Sequence, residues 1–78
     1  MFFVYSLESE DGIHWYVGIT EDIGRRLEEH NSGKSIHTNK YRPWKLQSYT
    51  AFIDQKRAES FERYLKSHSG RAFAEKHL

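Results

Sequence analysis

The chain has 78 residues, 37% hydrophobic and 15% aromatic, with 12 basic against 11 acidic side chains and no cysteine. These proportions exclude a disordered chain, a disulfide-stapled scaffold and a thiolate metal site, and no apolar run approaches the ~20 residues of a membrane span. The net charge of +1 gives only weak whole-molecule attraction to nucleic acid, but Glu8, Glu10 and Asp11 form an acidic tip, while Lys34, Lys40, Arg42 and Lys45, with His37, occupy an acid-free stretch.

This length corresponds to one domain, residues 1–78, with a modest core to which aromatic rings contribute much of the buried area. The start, Met-Phe-Phe-Val-Tyr, has no basic leader region and is β-branched and aromatic, so Met1–Leu7 is predicted to be a strand. With the lack of cysteine, this leads to an expected cytoplasmic location. Asp11-Gly12 is a strong hairpin signal, and His14–Ile19 returns as a second strand. A four-residue loop over Ser9–Gly12 would set Tyr5 opposite Tyr16, whereas a two-residue Asp11-Gly12 turn would set Tyr5 opposite Gly18. In both registers the two hydroxyls share a face of the sheet, because the side-chain period is two.

A short helix follows, roughly Asp22–Asn31, with Thr20 or Asp22 as its cap and Gly33 as a stop. Ser32–Pro43 contains Gly, Ser, Thr, Asn and Pro among scattered basic residues and is predicted to be a long loop. Trp44–Ile53 alternates as a third strand. Asp54 caps a helix over about Gln55–Ser67 whose apolar stripe is Ala58, Phe61, Tyr64 and Leu65. Ser69-Gly70 should break it before a last short helix, Arg71–His77. The expected architecture is α+β, a small three-stranded antiparallel sheet flanked by helices.

Three features do not suit a chain selected for stability alone. At about 100° per residue, His30 falls on the same stripe as Ile23 and Leu27, with Arg26 at its border and next to His30 at a spacing of four. Glu62 lies beside the apolar stripe of the second helix, where a carboxylate loses hydration and needs a partner or a cation. Taken singly, each has an ordinary structural explanation. Tyr5 and Tyr16 could be a cross-strand aromatic pair, and Arg26 could pair with Glu29 or Asp22. His30 could favour a helix C-terminus, and Glu62 could pair with Lys66.

Together they resemble the GIY-YIG nucleases. Phe3-Val4-Tyr5 stands where the family's first motif has G-I-Y, and Tyr16-Val17-Gly18 stands where the second has Y-I-G. Arg26 and His30 follow at the family's spacing, and Ala58-x-x-x-Glu62-x-x-Leu65-Lys66 looks like the helix that carries its metal-binding glutamate. The resemblance spans nearly the whole chain. It is nearest to small stand-alone members similar to the nuclease domain of the bacterial excision-repair incision subunit. The chain departs from the pattern at Phe3, which replaces the motif's glycine, and at Ile19, where some members have lysine. It also has no asparagine in Arg71–Leu78, where many members have a polar residue after the glutamate helix.

The resemblance implies a metal-dependent DNA endonuclease, possible roles in repair or recombination, and a site of Tyr5, Tyr16, Arg26, His30 and Glu62. Glu62 would hold Mg²⁺ or Mn²⁺, and Arg26 would bind the scissile phosphate through its planar donor fork. The tyrosines would position or deprotonate the attacking water. A free phenol titrates near 10, so the base needs a stabilised phenolate, and the sequence does not distinguish which tyrosine it is. Lys34, His37, Lys40, Arg42 and Lys45, with Trp44, would track the nucleic-acid backbone. The alternative is a nucleic-acid-binding module of the same fold without turnover. Either could take a protein partner that supplies specificity, as a monomer or weak dimer.

Overall fold

Residues 1–78 are all described in the computed structural model. Phe2–Ser9 forms β1, Trp15–Thr20 forms β2 and Trp44–Phe52 forms β3, in the sheet order β2–β1–β3 with both pairings antiparallel. The central position of β1 explains why Val4, Tyr5, Ser6 and Leu7 are all buried rather than alternately exposed. One face carries Val4 and Val17 beneath α2 (Gln55–Lys66) and α3 (His68–His77), packed with Ala58, Leu65 and Ala74. The other carries Tyr5, Leu7 and Trp44, with Tyr16 and Leu27, on the side of α1 (Ile23–Asn31). The architecture is thus the expected α+β sheet flanked by helices.

The register sets Tyr5 opposite Gly18, the second of the two predicted alternatives, with Tyr16 on the diagonal. The connection is nevertheless longer than a two-residue turn: the Ser9 amide donates to the His14 carbonyl at 3.0 Å, and Gly12 takes a left-handed φ of 76°. β3 carries an irregularity that alternation did not indicate. Ser6 pairs with Ser48 but Leu7 pairs with Leu46, which leaves Gln47 as an extra residue. Its Oε1 accepts from the Trp15 indole at 2.7 Å and from the Ser6 hydroxyl at 3.3 Å.

Asp22 is the cap of α1, its carboxylate accepting from the Arg25 amide, and Asp54 caps α2 in the same manner through the Lys56 amide. The predicted break at Ser69-Gly70 is displaced. The chain leaves helical geometry only at Ser67, whose hydroxyl accepts from the Gly70 amide and so starts α3 three residues earlier than expected. Gly70 lies inside that helix, and glycine is required there because a Cβ would collide with the Tyr64 carbonyl. The long loop contains one short turn of 3₁₀ helix, Asn39–Tyr41. Asn31 clamps its far end, accepting from the Trp44 amide at 2.5 Å and donating to the Trp44 carbonyl at 2.9 Å. No helix is long and apolar enough to cross a membrane.

Candidate active site

Tyr5 reaches the edge of the sheet by lying across its partner on β2. A Cβ at Gly18 would sit 2.5 Å from the Tyr5 hydroxyl oxygen and 2.7 Å from its Cζ. The glycine of Tyr16-Val17-Gly18 is therefore required for space and not for backbone freedom. Gly18→Ala is expected to lower stability by about 1–3 kcal/mol through overpacking of a buried ring. A urea unfolding midpoint equal to that of the unmodified protein would show that the ring can move aside.

The Tyr5 side chain is 2% exposed and ends against a histidine that is fully buried. Tyr5 Oη lies 2.9 Å from His30 Nε2. The other imidazole nitrogen, Nδ1, lies 2.7 Å from Thr38 Oγ1, and Thr38 is 1% exposed. The Tyr16 ring packs on the same imidazole, with centroids 4.9 Å apart, and on Tyr5 at 6.3 Å. Tyr16 keeps part of its surface open to solvent, unlike Tyr5 and His30. An ordinary aromatic pair would not need the shared histidine.

Arg26 lies one helical turn before His30. Its Nη1 donates to Glu29 Oε1 at 2.8 Å, and Glu29 also holds Arg25 at 3.4 Å. The expected pairing with Glu29 thus exists, but the guanidinium also lies beside the Tyr5 hydroxyl, and its charge acts on both tyrosines. Glu29 raises the Arg26 pKa above its ordinary value, so the cation is permanent. Burial, and then the Arg26 charge, pull His30 below the usual histidine range, and the imidazole is neutral at neutral pH. Burial, reinforced by Tyr16, raises the Tyr5 phenol from 10.0 to about 12 despite the opposing pull of Arg26. Tyr5 therefore retains its proton.

Glu62 comes from α2, on the opposite face of the sheet. Its charge still adds to the upward shift of Tyr5, so it belongs to the same electrostatic neighbourhood. The Glu62 side chain is 20% exposed, and Lys66 Nζ lies 3.2 Å from Oε2, the i,i+4 pair expected from spacing. No group of three or more His, Asp or Glu side chains is arranged to hold a metal ion.

The basic residues separate into two sets. Lys34, His37 and Lys40 are exposed in the loop, and exposed Arg42 lays its guanidinium over Gly33. Lys45 lies on β3 and pairs with Glu8 at 3.5 Å. Glu8 is on the face opposite Tyr5 and lines a hollow of about 210 Å³ with Trp15, Gln47 and Arg71. Lys45 is thus separated from the loop set with which it was grouped. Sequence reasoning also assigned no role to Thr38 or Asn31, and Trp44, grouped with the basic residues, is buried with its indole N–H donating to the Thr38 carbonyl at 2.8 Å. The only available signal was that a buried imidazole needs partners for both nitrogens.

A family model described as the GIY-YIG catalytic domain matches residues 1–76. A UPF0213 protein of Halalkalibacterium halodurans is 39% identical over 70 residues, covering 88% of this chain and 73% of the relative. A UPF0213 protein of Streptococcus pneumoniae serotype 4 is 42% identical over 65 residues, covering 82% of this chain. The chain spans 65% of that relative's length. The solution NMR structure of a UPF0213 protein from Bacillus halodurans aligns with a TM-score of 0.57 and 36% identity, over 96% of this chain and 81% of that one.

Proposed function

Because this chain belongs to the GIY-YIG family, we propose that it is a divalent-metal-dependent DNA endonuclease acting at Tyr5, Tyr16, Arg26, His30 and Glu62. The observation that carries this reading is the shared histidine: two strands and one helix place two phenols and a permanent cation around one buried, neutral imidazole. A structural core of this size gains little from such an arrangement, whereas phosphodiester hydrolysis uses each part.

The donor set fits a hard cation that keeps most of its waters. Glu62 offers one partly shielded carboxylate with no neighbouring cluster of ligands. Such a site suits Mg²⁺ or Mn²⁺ bound largely by water and substrate oxygens, and does not suit zinc, which requires three or four protein ligands. When bound, the ion supplies charge stabilisation at the phosphoryl oxygens.

The chain's own residues supply the rest. Tyr16, the phenol with open surface, first gives its own proton to solvent and then, as the phenolate, takes the proton of the attacking water as the water oxygen bonds to phosphorus. The ester P–O bond opposite breaks, and the leaving oxygen is protonated from solvent. Arg26 donates to the non-bridging oxygens and stabilises the Tyr16 phenolate. Tyr5 holds its proton and acts as a donor, and His30 holds Tyr5. Lys34, His37, Lys40 and Arg42 carry the flanking backbone through contacts that weaken with salt.

One observation favours the second reading, a binding module without turnover: Lys66 already occupies one oxygen of Glu62. Branched, nicked and plain duplex DNA incubated with Mg²⁺, Mn²⁺ or EDTA separates the two. Cutting that requires the ion and disappears in Glu62→Gln is the expected result. Salt-dependent DNA binding with no cleavage under any of these conditions would establish the module instead.

A further inference from the structure

Beyond the backbone contacts given to its basic residues, the loop Ser32–Pro43 delivers a side chain to the most buried polar atoms of the molecule. We propose that Thr38 is a positioning residue: its hydroxyl donates to His30 Nδ1 and thereby keeps the imidazole proton on Nε2, where it is donated to the Tyr5 oxygen. The assignment rests on the reading of Tyr5 and Tyr16 as the cleavage site and adds to it the residue that sets the direction of its hydrogen bonds.

The direction follows from counting donors. A neutral imidazole has one N–H and one acceptor nitrogen. If Nδ1 carried the proton, Thr38 Oγ1 would accept it, and the Thr38 hydroxyl hydrogen would be buried with nothing to receive it. His30 Nδ1 is the one partner of that hydroxyl. A buried donor without an acceptor carries the full cost of its lost hydration, whereas an oxygen that donates and does not accept costs much less. Thr38 is therefore the donor, Nδ1 the acceptor, and Nε2–H points at Tyr5 across 2.9 Å.

The same count applies at Tyr5. With Nε2–H directed at its oxygen and the positive Arg26 guanidinium nearby, the phenolic hydrogen does not point at His30. It turns toward Tyr16, whose partly open surface gives solvent access to receive it, an outlet that the enclosed Thr38 hydroxyl does not have. The chain Thr38 to His30 to Tyr5 then runs one way, from the loop outward, and delivers an O–H to the groups around the reacting water. In the opposite tautomer Tyr5 would spend its hydrogen on Nε2 and offer the cleft only lone pairs. The charged and titratable groups around this chain are Arg26 and Glu29 of α1, Tyr16 of β2 and Glu62 of α2. None of them touches Nδ1, so Thr38 alone decides that nitrogen.

The loop is built to hold Thr38 there. The Trp44 indole Nε1–H donates to the Thr38 carbonyl at 2.8 Å, as does the Tyr41 amide at 3.2 Å. Asn31 clamps the backbone of Trp44 itself. These contacts use the backbone of Thr38, so replacing its side chain leaves the loop anchored.

The test reads the tautomer directly and does not depend on cleavage. Long-range 1H–15N correlation spectra of 15N-labelled protein near neutral pH should show His30 protonated on Nε2. In Thr38→Val, which keeps the shape and removes the hydroxyl, the two ring-nitrogen shifts should move toward each other as the second tautomer is populated. Thr38→Ser should restore the original pattern. Turnover on a cleavable DNA should fall by about 10–100-fold in Thr38→Val and stay within about threefold of the unmodified protein in Thr38→Ser, as for other partners that orient a catalytic imidazole. A proton on Nδ1 in the unmodified protein, or a Thr38→Val spectrum identical to it, overturns the assignment. If no DNA is cut, the nuclease reading falls while the spectra still decide the role of Thr38.

Discussion

Replacing Tyr16 by phenylalanine is expected to reduce kcat/KM by about 10²–10⁴-fold, the usual contribution of a general base, without changing the unfolding midpoint. The loss concerns one oxygen. The Tyr16 ring packs on His30 with centroids 4.9 Å apart, and phenylalanine preserves that contact. Its hydroxyl is on the partly open side of the cluster and makes no hydrogen bond to the protein that would be orphaned. Tyr5→Phe provides the contrast. Burial pushes the Tyr5 phenol up to about 12 and it keeps its proton, so its removal deletes a donor and leaves His30 Nε2 without its partner. That change should cost less in turnover and more in stability than Tyr16→Phe. Measuring both variants at saturating metal and across pH assigns the two phenols. If Tyr5→Phe proves the more damaging to turnover at an unchanged midpoint, the roles of base and donor are reversed.

The two tyrosines also mark how far the sequence could be read. Period-two alternation was sufficient to place both hydroxyls on one face, because that result does not depend on which register forms. The helix caps Asp22 and Asp54 were equally legible, since capping is a local bond between a short side chain and the next amides. What was not legible came from contacts distant in sequence. The break between α2 and α3 depends on a single extended residue, Ser67, and Gly70 resembles a breaker until the Tyr64 carbonyl is seen where its Cβ would be. The bulge at Gln47 has no signature in β3 itself, and its side chain satisfies an indole 32 residues earlier in the chain. Lys45 read as part of a basic stretch until Glu8, on the neighbouring strand, claimed it. His30 was recognisable as an anomaly on an apolar stripe, but its partner Thr38 lay in a loop whose composition indicated only irregularity. Periodicity reports which face a residue occupies and gives no information about what meets it there.

Arg26 is where local and distant constraints meet, and its replacement is expected to produce the second large effect. Arg26→Ala should lower turnover by about 10²–10³-fold, comparable with losing a preorganised donor to the developing charge. DNA binding should fall far less, because the loop cations carry the backbone contacts. Arg26→Lys should recover little. The side chain is 34% exposed and serves more than one partner: Nη1 is held by Glu29 at 2.8 Å, and the guanidinium charge also acts on the Tyr5 hydroxyl. An ammonium is a single point of charge and cannot hold Glu29 while reaching a phosphate and a phenol. Glu29 has a second cation, Arg25 at 3.4 Å, so its carboxylate keeps a partner and the fold should withstand either substitution. Single-turnover cleavage at saturating DNA and metal separates the chemical step from binding. Arg26→Lys at near-normal rate would mean that charge alone suffices, and the splint formed by Glu29 would then be a surface ion pair with no part in aiming the fork.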